Sequence, residues 1–157
     1  MKKMISLLIF AVLVFNCAAA EQTTALTGSR YEVDLPDGMK YSPPEKEDSG
    51  IHAYISDVLE MDWLCYDRQE AAALGLQPTL LESAEKLAES GAEAELREIG
   101  GIEALVYRLA DDADGAEGIG YIIEDGDLIV EVIFWYATQE AADTAKAIME
   151  SIRTIQN

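Results

Sequence analysis

His52 is the only histidine in the 157 residues, and this narrows the acid–base chemistry open to the chain. A serine or cysteine nucleophile needs a base within hydrogen-bond reach and a third group to orient that base. His52 stands between Ile51 and Ala53 in an alternating stretch and reads as an ordinary strand residue. No G-x-S-x-G elbow is present. Cys65, within Trp63-Leu64-Cys65-Tyr66, reads as a small packing residue rather than a reactive thiol. No phosphate loop is present, and no cofactor is implied.

Carboxylates are the abundant chemistry: 30 Asp and Glu stand against 11 Lys and Arg, for a net charge of −19. Close acid pairs are therefore expected by chance, and a glycosidase would need two of them across a sugar-sized cleft. Glu131 stands out because it interrupts the apolar face made by Ile129, Ile133 and Trp135. It reads as a rim residue or as the partner of an arginine such as Arg108; if buried, it becomes a candidate site. Asp111, Asp112, Asp114 and Glu117 place oxygen ligands around Gly115. Calcium takes six to eight oxygens, so this is a weak candidate calcium loop, without the twelve-residue spacing of an EF-hand. Trp63 and Trp135 are the candidate aromatic binding residues, should one sheet face be left partly uncovered.

Charge also excludes partners. Phosphate backbones and anionic lipid surfaces repel such a chain, so nucleic acid is not an expected partner. The expected partner is a protein or a small molecule, cationic if charge decides.

The first residues, MKKMISLLIFAVLVFNCAAAEQ, have a basic start, an apolar core and a small-residue Ala18-Ala19-Ala20 site. This is the pattern of a cleaved secretory signal over residues 1–20. Its loss removes two basic residues and no acids, leaving a single domain over 21–157 with net charge −21. Lipid attachment at Cys17 is the alternative, although Phe15 and Asn16 fit that pattern poorly. Only Cys65 then remains, so no internal disulfide can form. No later segment offers the ~20 apolar residues of a helical membrane span. The expected location is extracytoplasmic.

The elements that must position these residues follow from periodicity. Alternation over Arg30–Leu35 predicts a strand ended by Pro36-Asp37-Gly38, and Tyr41–Gly50 reads as a loop. Ile51–Val58 and Met61–Tyr66 read as strands. Asp67 and Thr79 begin two helices, the second with Leu80, Ala84, Leu87 and Ala88 as its buried stripe. Gly100-Gly101 and Asp125-Gly126 mark hairpins joining Ala94–Ile99, Ile102–Leu109, Gly118–Glu124 and Leu128–Tyr136. Leu128–Tyr136 is apolar on both faces and should be central. Thr138 caps a last helix burying Ala141, Ala145, Ile148, Ile152 and Ile155. The expected order is β-β-β-α-α-β-β-β-β-α: an α+β fold with a mainly antiparallel sheet of six to seven strands.

The opening strand with its Pro-Asp-Gly turn, the Asp125-Gly126 hairpin and the final helix ending Met149-Glu150-Ser151-Ile152-Arg153 together resemble the PsbP-like family. That resemblance implies an α/β/α sandwich and brings no shared catalytic set. Two functions follow as expectations: an exported, non-enzymatic binding or accessory module, or an extracytoplasmic carboxylate-dependent hydrolase.

Overall fold

The fold is described from a computed structural model of the chain, over residues 22–43, 50–74, 77–109 and 116–156. The expected export segment with Cys17, and Asp111, Asp112 and Asp114, lie outside the described residues.

Leu128–Tyr136 forms strand β9, and its two apolar faces place it in the middle of a seven-stranded sheet. On one side lie β5 (Leu59–Asp67), β4 (His52–Ile55) and β3 (Lys40–Ser42). On the other lie β8 (Glu117–Asp125), β7 (Ile102–Leu109) and β6 (Ala94–Ile99). Every neighbouring pair is antiparallel. The hairpins fall where glycine permits them. Gly100 and Gly126 take φ of +58° and +62°, which other residues avoid. Gly100 is also crowded: a Cβ there would lie 2.4 Å from the Ile152 carbonyl oxygen.

Three short strands were not expected. β1 (Gln22–Ala25) and β10 (Arg153–Thr154) flank β2 (Tyr31–Leu35) in a separate three-stranded sheet. The opening strand therefore leaves the main sheet, and β3, at the start of the expected loop, takes the seventh place. These strands are two to four residues long, too short for alternation to register.

The main sheet separates two cores. Val130, Val132 and Phe134 of β9 face the small sheet and helix α3 (Gln139–Glu150), against Val33, Leu35, Ala145 and Ile148. Ile129 faces helices α1 (Arg68–Leu74) and α2 (Leu80–Glu89), with Tyr66, Ala71, Leu80, Leu105 and Ile122. Burying one such aliphatic side chain contributes on the order of 2 kcal/mol. The last helix thus packs on the central sheet, as an α/β/α sandwich requires.

The caps are those read from the sequence. Thr79 Oγ1 accepts from Glu82 N, and Thr138 Oγ1 accepts from Ala141 N. Glu124 clips both helices to the sheet: it pairs with Arg68 at 2.9 Å and accepts from Leu80 N. Two helical details differ. Ala88 is exposed, while Ser83 takes the buried place on α2. α3 ends at Glu150, so Ile152 is buried from the following turn and Ile155 lies beyond β10. No helix among the described residues is long and apolar enough to cross a membrane.

Candidate functional site

Glu131 sits in the centre of β9, not at a rim, and faces the α1–α2 layer. Its partner is not Arg108, whose side chain belongs to the opposite face. Tyr107 Oη donates to Glu131 Oε1 at 2.5 Å. Burial pushes the Glu131 carboxyl up, and the Tyr107 hydrogen bond partly offsets this. Tyr107 and Tyr66 are each pushed far up, first by burial and then by the Glu131 charge. Asp62 lies on the same face of β5, and burial with the nearby Glu60 charge pushes it up to about 6.

Trp63 and Trp135 do not share a surface. Trp63 pairs with Val132 and points toward the small sheet, 2% exposed. His52 stacks on it at 5.1 Å and Tyr54 at 5.8 Å, and Tyr41 completes the cluster. Tyr41 Oη and His52 Nδ1 are 2.9 Å apart, so His52 is engaged with a tyrosine rather than with a nucleophile. Trp63 is therefore a core residue with an aromatic flank. Trp135 projects from the other face and is half-buried.

Trp135 borders a surface made of several adjoining grooves. One groove of about 360 Å³ runs between the β4–β5 turn and the end of β9, lined by Ile55, Val58, Glu60 and Trp135. A second, of about 370 Å³ and mainly apolar, lies over the turn on the α3 side, with Pro36, Met39, Leu59, Ala141 and Thr144. A third of about 100 Å³ sits between Glu117, Tyr136 and Thr138. The grooves share walls: Ser56, Val58 and Leu59 border the first two, Tyr136 and Ala137 the first and third, and Thr138 the last two. The Ser56 hydroxyl accepts from Leu59 N at 3.1 Å and fixes the turn, leaving Val58 at its crest, 52% exposed.

A larger groove of about 580 Å³ opens elsewhere, over β6 and β7, with Arg97 and Arg108 in its wall. Glu131 and Asp62 line none of these four grooves. Of the candidate calcium ligands only Glu117 is described; it begins β8 opposite Tyr136 and is exposed. Among the described residues no three His, Cys, Asp or Glu side chains converge to hold a metal. Cys65 donates to the Thr27 carbonyl at 3.4 Å, and burial pushes its thiol up to about 11. That favours the unreactive protonated form.

Sequence reasoning missed Val58 and Tyr107. Val58 follows the turn-forming Ser56-Asp57, where an apolar residue has no local reason to be. Tyr107 could be found only from the strand register that sets it beside Gly120.

No protein-family model and no curated protein sequence matches the chain. Solved structures do. A protein of Bacteroides thetaiotaomicron VPI-5482, solved at 1.50 Å, superposes with a TM-score of 0.54 and 12% identity. It matches over 81% of this chain, which spans under half (46%) of that protein. The solution structure of cyanobacterial PsbP (CyanoP) from Synechocystis sp. PCC 6803 gives a TM-score of 0.55 and 13% identity, over 87% of this chain and 94% of that one. At such identity the likeness is one of fold, and it agrees with the seven-stranded antiparallel sheet and its two covering layers: the chain has a PsbP-like fold.

Proposed function

We propose that the protein is an exported, non-enzymatic binding module that holds its partner at the end of the sandwich formed by the β4–β5 turn, the end of β9 and the start of α3. The supporting observation is that the three grooves share walls, two of them at Val58, which makes one surface rather than scattered dimples. Exposed apolar side chains in concave surroundings are where partners gain most from burial. Export rests on the basic start, apolar core and Ala18-Ala19-Ala20 site of the first residues. Binding is preferred to carboxylate hydrolysis because, among the described residues, Asp62 and Glu131, whose carboxyls burial pushes up, border none of the four grooves described above.

A photoreactive amino acid placed at Val58, and separately at the exposed Leu81 of α2, tests the reading in the native extracytoplasmic fraction. The expected result is a specific cross-linked species at Val58 that Trp135→Ala diminishes and that Leu81 does not give. Equal labelling at both positions, or none at Val58, would reject it. Mass spectrometry of the purified N-terminus separates cleavage after Ala20 from a lipid on Cys17.

A further inference from the structure

We infer that this end surface takes a basic, amphipathic peptide segment of a partner protein, with an apolar side chain against Val58 and Trp135 and lysine or arginine side chains against the flanking carboxylates. The inference rests on the binding reading above and adds the chemistry of the occupant.

Among the described residues, the charged ones lining the three grooves are Asp37, Asp57, Glu60, Glu117 and Glu140, with no lysine or arginine. The larger groove over β6 and β7 has both signs, Glu93 and Glu95 with Arg97 and Arg108. Acidity therefore distinguishes one groove system from another within the same acidic protein. Two basic side chains stand outside the lining: Arg108 acts on Tyr136 beside Glu117, and the exposed Lys40 pairs in register with Ile55 at the edge of the first groove. The attraction for a cation is thus carried mainly by Asp57, Glu60 and Glu140. The positive end of the α3 dipole also points here, but it amounts to roughly half a charge, and Glu140 in the first turn exceeds it.

Geometry favours a peptide. Asp57 and Glu60 bracket the exposed Val58 on a fixed turn. Glu60 is register-paired with Trp135, so a carboxylate and an indole stand side by side on adjacent strands. That combination suits a guanidinium or ammonium, which gains from the ring face and from the negative charge together. Three open grooves joined over a ridge offer successive side-chain seats, whereas a small molecule is held by a single enclosing pocket.

Calorimetry on the purified full chain, with a synthetic peptide of alternating lysine and leucine, tests the inference. Two comparison peptides replace lysine by glutamate or leucine by glycine. The Lys-Leu peptide should bind, more weakly as salt rises, and both comparison peptides should bind at least about tenfold more weakly. Asp57→Lys with Glu60→Lys and Glu140→Lys should weaken it by about tenfold or more. Reversing Glu85, Glu89 and Glu103, an equal change in net charge elsewhere, should change it by less than about twofold. Shifts of the Val58 methyl signals on the unmutated protein give a readout that does not depend on variants folding. Equal loss in both triple variants, or unmoved Val58 signals on binding, would show attraction by net charge alone and overturn the inference. Specific cross-linking of an anionic or uncharged molecule at Val58, with no Lys-Leu binding, would overturn it while leaving the binding reading intact. Absence of any cross-link at Val58 would remove the binding reading itself.

Discussion

Tyr107 on β7 and Glu131 on β9 meet across the strand between them, with the hydroxyl 2.5 Å from the carboxylate. Gly120 of β8 makes this possible. A Cβ at that position would lie 2.1 Å from Tyr107 Cζ, so the ring lies flat on the sheet only over a glycine. The pair resolves the oddity of an acid in the central strand: its carboxyl is buried, but it accepts a short hydrogen bond.

The first prediction follows from that contact. Gly120→Ala displaces the Tyr107 ring and leaves Glu131 without its donor, at a cost of about 2 kcal/mol or more. Tyr107→Phe removes only the hydroxyl and should cost about 1–3 kcal/mol, as expected for a buried acceptor left unpaired. In a double variant the two costs should fall well short of their sum, because both act on one contact. Urea unfolding measures all three, and a Gly120→Ala variant as stable as the parent would refute the account.

Periodicity carried much of the fold. The strands at Ala94–Ile99, Ile102–Leu109 and Leu128–Tyr136 match the expected bounds, because each is an apolar-rich run with one end at a glycine turn. Membership of the sheets was not legible. β2 and β4 both read simply as short strands, and the place of β2 in the smaller sheet depends on its pairing with β1 and β10. The site was less legible still. Glu131 was visible as an interruption, but its partner depends on register across two strands. Trp63 and Trp135 are of one residue type on neighbouring strands, yet they point to opposite faces. Val58 becomes noticeable only when the turns and helix ends that surround it are assembled.

The pH dependence of stability follows from Asp62. Its carboxyl, held near 6 when folded, ionises around 4 when unfolded. A raised acid of this kind gives stability that is fully present below about pH 4 and is lost as pH rises through 6. Asp62 is partly open to water, so screening leaves the effect at about 1 kcal/mol. Glu131, also raised, acts in the same direction. Asp62→Asn should therefore flatten the fall in melting temperature between pH 4 and 7 (about 1 kcal/mol gained at neutral pH). An unchanged slope would contradict it.

Arg153 fastens the chain end. Its guanidinium donates to Glu32 Oε1 and to both carboxylate oxygens of Asp34, each at 2.8 Å, and Ile155 N donates to the Arg30 carbonyl alongside. Arg153 and Thr23 hold the Asp34 carboxyl below its usual range. A lowered acid contributes stability above the unfolded pKa and loses it as pH falls. Arg153→Gln should release β10 from β2, and amide exchange at Ile155 should quicken while exchange in β9 stays slow. Uniform acceleration throughout the sheet would mean that Arg153 supports the whole fold and not the chain end.

The two tryptophans should report the two faces separately. Trp63 is enclosed, flanked by His52 and Tyr54, and its indole N–H has no hydrogen-bond partner among the described residues. Trp135 borders an open groove. With Trp135→Phe, the remaining emission should be blue-shifted and resistant to a neutral quencher. With Trp63→Phe, it should be red-shifted and readily quenched. Tyr54→Ala removes one of the stacked rings and opens a side of Trp63. In the Trp135→Phe background this should shift emission to the red and cost about 1 kcal/mol beyond the buried area lost. The same readout connects to function, because an occupant of the end surface covers Trp135 and leaves Trp63 untouched. Binding should therefore protect Trp135 alone from the quencher, and protection of Trp63 instead would move the site to the aromatic cluster of β3, β4 and β5.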